Sequence, residues 1–212
     1  MPTLPATFSF DSQDYWITRF TTEPSFEWLC PYSTLRPHLL PYLSESTEIL
    51  NLGCGNSQLP FDLWRDGYRR VTSVDFAPNV VERMRAEAVD TYPGLQFEVM
   101  DCMDLAQLPT GMFEVVVDKS TVDAIACGDD DGMEKMRRVC SEVARVTKEE
   151  AVWVSVSYAN WRRFEFAGEA EIWGWKTETV AKLNIEEAGV KDGVYIPEVF
   201  HYVYVNRKVR VQ

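Results

Sequence analysis

Paired cysteines, clustered histidines, long apolar runs and an excess of positive charge are all missing from this chain of 212 residues. The five cysteines (Cys30, Cys54, Cys102, Cys127, Cys140) are odd in number and form no Cys-x-x-Cys pair. With only His38 and His201 beside them, no zinc-ligand spacing can be assembled, and reduced thiols are expected. Residues 1–11 contain neither a basic segment nor an apolar core, which excludes a secretory signal there. No stretch approaches the roughly 18 apolar residues of a membrane span. Lysine and arginine number 21 against 33 acids, for a net charge of -12, so binding to a nucleic-acid backbone is not expected. A soluble, cytoplasmic, monomeric protein follows as the expectation, with no membrane or nucleic-acid partner.

Hydrophobic residues make up 46% of the chain, enough for one sizeable core. Strand-like runs at 48–52, 70–75, 96–100, 112–117 and 151–158 alternate with helix-like runs at 59–66, 78–89 and 133–147. Such alternation predicts an α/β fold, a doubly wound, mostly parallel sheet wrapped by helices. Upstream, 12–20 reads as a short helix, and 25–43, broken by Pro31, Pro37 and Pro41, as helical pieces. Downstream, 194–195 and 200–211 are rich in Val, Tyr and Phe and predict an antiparallel strand at the sheet edge. The chain divides on this reading into an N-terminal helical cap (1–45), a cofactor-binding core (46–160) and a substrate-side segment with the last strands (161–212), all in one domain.

The most informative segment is Ile49-Leu50-Asn51-Leu52-Gly53-Cys54-Gly55-Asn56-Ser57, followed 22 residues after Gly53 by Asp75. It has the layout of a strand, a glycine turn, a helix and a second strand ending in an acid. Glycines let backbone N–H groups approach a nucleoside, and a carboxylate at the next strand tip can accept both ribose hydroxyls. Ligands of open α/β sheets bind at the carboxyl ends of the strands. Here those ends also carry Phe76, Asp101, Cys102, Asp118 and Lys119. Asp75 is assigned to the ribose, Phe76 to the adenine face, Asp101 or the Cys102 N–H to the adenine edge, and the Asp118-Lys119 turn to the reactive end.

A dinucleotide site wants a third glycine, where this chain has Gln58. S-adenosyl-L-methionine, which has no phosphate, needs only the glycine floor. A nicotinamide-dependent oxidoreductase therefore stays the weaker reading. The ordered set Tyr15-Trp16-Ile17-Thr18-Arg19-Phe20, Phe26-Glu27-Trp28, Gly53-Cys54-Gly55-Asn56-Ser57, Val74-Asp75-Phe76, Met100-Asp101, Val117-Asp118-Lys119 and Phe200-His201-Tyr202-Val203-Tyr204-Val205 resembles the class I methyltransferases that include lysine methyltransferases acting on translation elongation factor one-alpha. The resemblance implies a Rossmann-like sheet of seven strands holding S-adenosyl-L-methionine. It also implies that Trp16, Phe20 and Trp28 close over the cofactor while Gly53, Asp75, Phe76, Asp101, Cys102 and Lys119 line it. The chain departs from that group's pattern at Asn51, at Ser120 and at Glu149-Glu150, where an acid, a glycine and a glycine pair are expected.

Methyl transfer to a lysine requires the ammonium to lose a proton, a handicap of about 4–5 kcal/mol at neutral pH. Asp118 and Asp123 are the candidate catalytic residues for that step. Trp161, Phe164, Phe166, Trp173 and Trp175 are candidates for an aromatic substrate wall. Asp129-Asp130-Asp131 reads as a solvated loop able to attract a basic protein. A protein substrate with an accessible lysine is the expected partner. A small-molecule acceptor on the same fold and a non-catalytic interaction module are the alternatives.

Overall fold

The computed structural model describes residues 10–128, 132–162, 174–186, 189–191 and 194–209. Five strands follow one another in parallel: β1 (Ile49–Leu52), β2 (Val71–Asp75), β3 (Leu95–Val99), β4 (Phe113–Lys119) and β5 (Thr147–Ser157). The sheet is completed by β6 (Trp175–Glu186) and by the last strand, β9 (Val199–Lys208), in the order β3-β2-β1-β4-β5-β9-β6. A small hairpin, β7 (Gly189–Lys191) with β8 (Val194–Ile196), pairs separately. β9 runs antiparallel to both neighbours. The predicted final strand is thus interior to the sheet, and β6, which the sequence reading had not placed, forms the edge.

Both faces of the central strands are covered, so β1 and β2 are buried at every position and β4 at all but one. On one face α6 (Met133–Val146) lays Met136, Val139, Cys140, Val143 and Val146 against Leu50, Leu52, Val116 and Trp153. That spacing of three and four residues forms a single helical stripe. On the other face α2 (Tyr32–Leu39) supplies Leu35 and Leu39, and α3 (Leu59–Arg65) supplies Leu59 and Leu63. α4 (Pro78–Ala88) begins with proline at its first position, where the missing N–H costs no helical bond.

α1 (Gln13–Thr22) is the cap helix expected near the N-terminus. α4 holds it in place: Asn79 Nδ2 donates to the Ile17 carbonyl at 2.9 Å, and Arg83 Nη1 donates to the carbonyls of Phe20 and Glu23 at 3.1 and 3.2 Å. A five-residue helix, α5 (Thr121–Ile125), follows β4 directly and was not anticipated. Two of the sequence's departures sit at left-handed backbone: Ser120 has φ +70° and Glu150 φ +61°. These are conformations that glycine adopts without steric cost.

Candidate active site

β1 is flanked by β2 on one side and β4 on the other, so the strand order reverses there and opens a crevice at the carboxyl ends. The cavity in that crevice encloses about 940 Å³ of empty space, part of it open to solvent. All nine residues assigned to the cofactor line it. Gly53, Asp75, Phe76, Asp101, Cys102 and Lys119 come from the strand ends, and Trp16, Phe20 and Trp28 from the cap.

The glycine turn is built for close approach. Gly53 has φ +64°, and a Cβ there would lie 2.3 Å from Thr121 Oγ1. That hydroxyl donates to the Leu52 carbonyl at 2.8 Å, so the start of α5 is pinned against the turn. Gly55 has φ +49° and donates its N–H to Asp75 Oδ2 at 2.9 Å, while Ala77 N–H donates to Oδ1 at 2.9 Å. Asp75 therefore ties the turn to the second strand end, and its carboxylate, with about four acceptor positions, retains capacity for a ligand hydroxyl beside the backbone N–H groups of Gly55, Ala77 and Phe76. Its burial pushes the carboxyl up to about 6, against the opposing pull of the backbone N–H groups. Asp101 Oδ1 is oriented by Met103 N–H at 2.8 Å.

The roof is aromatic. Trp16 stacks on Phe20 with ring centroids 5.4 Å apart and meets Trp28 edge-on at 6.0 Å. Arg19 lies over Trp28 at 4.7 Å and pairs with Glu23 at 2.7 Å, which stiffens the cluster from outside. The Trp16 indole N–H donates to the Phe10 carbonyl at 2.6 Å, and Asp11 pairs with Lys135 at the start of α6 at 2.6 Å. Phe10, Asp11 and Lys135 also line the cavity, so the N-terminal arm contributes to the enclosure.

Sequence reasoning missed Glu27. Its carboxylate accepts from Lys119 Nζ at 2.5 Å, from Gln58 N–H at 2.5 Å and from Ser57 Oγ at 3.0 Å. The cap, the glycine turn and the end of β4 converge on this one side chain. The motif Phe26-Glu27-Trp28 was its only signal, and there Trp28 alone was assigned to the cofactor. The same contact weighs against a dinucleotide: the N–H of Gln58, ahead of α3, already serves a carboxylate where a pyrophosphate would compete.

Neither of the two catalytic candidates lies in the cavity wall. Asp118 is fully buried and accepts from the Trp153 indole N–H at 2.8 Å, inside the core beneath α6. Burial pushes its carboxyl up to about 7, against the hydrogen bonds it accepts. Asp123, 3% exposed, accepts from Ser157 Oγ at 2.5 Å, Tyr158 N–H at 3.0 Å and Arg162 Nε at 3.2 Å. Those bonds fasten α5 to the turn after β5. Of the aromatic wall, Trp175 is buried against Trp153 and donates to the Cys140 carbonyl, whereas Trp161 is 58% exposed. Phe164, Phe166, Trp173 and the acidic loop 129–131 lie outside the described residues.

The cavity fits an adenosyl amino acid on this chain's own geometry: a left-handed glycine floor that any side chain would fill, an acid at the second strand tip and an aromatic roof. No group of His, Cys, Asp and Glu able to hold a metal occurs among the described residues. Among the same residues, no helix is long and apolar enough to cross a membrane.

Comparison with known proteins agrees with this geometry. A methyltransferase domain model matches residues 49–150. The chain is 33% identical over 207 residues to the methyltransferase srdJ of Neurospora crassa, covering 93% of this chain and 84% of that protein. It is 34% identical over 169 residues to EEF1A lysine methyltransferase 4 of Mus musculus, covering 74% of this chain and 66% of that one. It is 33% identical over 178 residues to the eEF1A lysine and N-terminal methyltransferase of Danio rerio, covering 82% of this chain but only 25% of that longer protein. Among solved structures, a SAM-dependent methyltransferase from Methanosarcina mazei superposes with a TM-score of 0.62 at 17% identity, covering 82% of this chain and 98% of that one. One from Aquifex aeolicus does so with a TM-score of 0.61 at 14% identity, covering 91% and 98%. These last two likenesses concern the fold alone. By fold, by glycine turn and by kinship, the chain belongs to the class I S-adenosylmethionine-dependent methyltransferases.

Proposed function

We propose that the protein binds S-adenosyl-L-methionine in the capped cavity and directs its methyl group to a lysine side chain of a protein substrate. The observation that carries the cofactor reading is the convergence of all nine assigned residues on one cavity. The acceptor reading rests on the relatives named as eEF1A lysine methyltransferases. The net charge of -12 suits a basic, lysine-bearing partner.

The cofactor supplies an activated methyl group and a good leaving group, so the chain's own task is positioning and exclusion of water. Asp75 would hold the ribose hydroxyls, with Gly55 and Ala77 fixing its oxygens beforehand. Phe76 and Cys102 would border the base, Asp101 its edge, and Gly53 would let the backbone lie flat beneath the methionine portion. Trp16, Phe20 and Trp28 would cover the ligand and keep water from the reacting centre. Asp118 and Asp123 act at a distance, by fixing the β4–α5 turn that carries Lys119 and Ser120.

A tritiated methyl-donor assay with elongation factor 1A as acceptor, run beside a methylation-poor lysate split into protein and small-molecule fractions, tests the proposal. Label in the elongation factor that disappears when its lysines are blocked supports it. Label confined to the small-molecule fraction would replace the acceptor, and no binding of the cofactor or its homocysteine product would overturn the reading altogether.

A further inference from the structure

Resting on that cofactor reading and its lysine acceptor, we propose that the Ser120 hydroxyl meets the acceptor nitrogen at the point of transfer, accepts one of its N–H bonds and so blocks addition of a third methyl group.

The strand order sets where the transfer point lies. On the cofactor reading the base and ribose occupy the tips of β3 and β2, and the methionine portion runs over the glycine turn of β1. The next strand along is β4. Ser120 is the first residue after β4, lines the cavity and is half-buried. Its backbone is left-handed, φ +70° and ψ 0°, a conformation free to glycine and costly to serine. A serine directly ahead of a helix ordinarily turns its hydroxyl back to cap it. Here no side-chain bond caps α5, so the strain has no such compensation.

The backbone of Ser120 is engaged at both ends: its N–H donates to the Val156 carbonyl at 2.9 Å, and its carbonyl accepts from Ala124 N–H at 3.0 Å. The neighbouring polar side chains of the cavity are engaged as well. Lys119 pairs with Glu27 at 2.5 Å, Thr121 Oγ1 donates to the Leu52 carbonyl at 2.8 Å, and Asp11 pairs with Lys135 at 2.6 Å. Ala124 and Ile125 continue the wall as apolar surface. Among the described residues the Ser120 hydroxyl has no such partner, and it is the polar group this wall leaves for a ligand.

The acceptor ammonium first gives a proton to solvent. Its lone pair then forms the N–C bond while the C–S bond breaks and leaves its electron pair on sulfur. A primary amine aligned for this step has two N–H bonds to place. A neutral hydroxyl can accept one of them without favouring the protonated ammonium, as a carboxylate would. A monomethylated amine still has one N–H to give to Ser120 and turns its methyl group the other way. A dimethylated amine has none, so aligning its lone pair presses a methyl group onto the hydroxyl. A glycine at this position would leave that space open.

Mass spectrometry of elongation factor 1A after exhaustive reaction tests this. The unsubstituted protein is expected to stop at dimethyllysine, and Ser120→Gly to go on to trimethyllysine. A second measurement needs no turnover: calorimetry of the S-adenosylhomocysteine-loaded protein with elongation factor 1A, unmodified or with its lysines reductively dimethylated. The unsubstituted protein is expected to bind the dimethylated form about tenfold more weakly, and Ser120→Gly to bind the two within about twofold. Thermal unfolding of Ser120→Gly no earlier than that of the unsubstituted protein shows that the variant is folded. Trimethyllysine made by the unsubstituted protein would overturn the proposal, and so would an unchanged product or unchanged discrimination in Ser120→Gly. Absence of any label in elongation factor 1A would instead refute the lysine reading on which the proposal rests, and failure to bind S-adenosylhomocysteine the cofactor reading.

Discussion

The indole N–H of Trp153 donates to Asp118 at 2.8 Å in a part of the core that excludes water, although Asp118 and the cavity-lining Lys119 are adjacent in the chain. Their side chains leave β4 on opposite faces, as successive residues of a strand must. Asp118, a strand-tip acid that the sequence offers as a catalytic candidate, thus has its side chain in the packing beneath α6.

That burial has a pH signature. With its folded titration pushed up to about 7 and its ordinary value near 3.8, Asp118 binds a proton more tightly in the native state than in the unfolded chain. Stability is then greatest in acid and falls as pH rises through that interval, by an upper limit of about 4 kcal/mol, levelling above about 7. Asp75 adds a decline of the same sign that ends near 6. Denaturant titrations from pH 5 to 8 are expected to show falling stability, and Asp118→Asn to remove the portion between about 6 and 7. An unchanged slope in that variant would assign the effect to another group.

Ligand affinity depends on Asp75 with the opposite pH sense, because its ionised form is the better acceptor for ribose hydroxyls. Affinity for S-adenosylhomocysteine is expected to fall as pH drops below about 6. Asp75→Ala should cost about 1.5–3 kcal/mol of binding at neutral pH. Calorimetry at two pH values reads both, and an Asp75→Asn variant with the full pH dependence would remove Asp75 from the role.

Gly53 tolerates no side chain. The φ of +64° and the 2.3 Å approach to Thr121 Oγ1 together predict that Gly53→Ala loses about 2 kcal/mol or more of stability. The start of α5 has to move to admit the methyl group, so cofactor affinity should fall with it. Gly67→Ala serves as the control, since its φ of +103° is strained for alanine but nothing lies within 4 Å of the added carbon. Thermal unfolding and ligand titration of both variants separate the clash from the strain.

Glu150 offers the converse test. It is exposed and has φ +61°, and Arg207 Nη1 donates to its backbone carbonyl at 3.1 Å, a contact that does not involve the side chain. Relief of about 1–2 kcal/mol of left-handed strain, against about 0.4–1 kcal/mol of added unfolded-chain entropy, predicts that Glu150→Gly stabilises by about 0.5 kcal/mol. A rise in denaturation midpoint without change in binding checks it.

The parallel half of the sheet was legible because β1, β2, β4 and β5 are apolar runs punctuated by turns and separated by striped helices. β6 was not, because residues such as Lys176, Glu178 and Lys182 give an edge strand no continuous apolar run, and the neighbouring tryptophans drew attention to the substrate side. The floor of the site was legible from spacing, since glycines and acids at strand ends meet on one rim whatever the loops do. The roof was legible only through family resemblance. Glu27 was legible only as a member of the motif Phe26-Glu27-Trp28: its contacts with Ser57, Gln58 and Lys119, up to 92 residues away, are marked by no local pattern.

The ion pairs that join roof to floor also order events during synthesis. Glu27 waits for Lys119, 92 residues later, and Asp11 for Lys135, 124 residues later. At about 5–20 residues per second, the first-made part of the chain spends several seconds without the partners that fix it. Its aromatic cluster of Trp16, Phe20 and Trp28, uncovered until then, would be a natural target for chaperones on the ribosome.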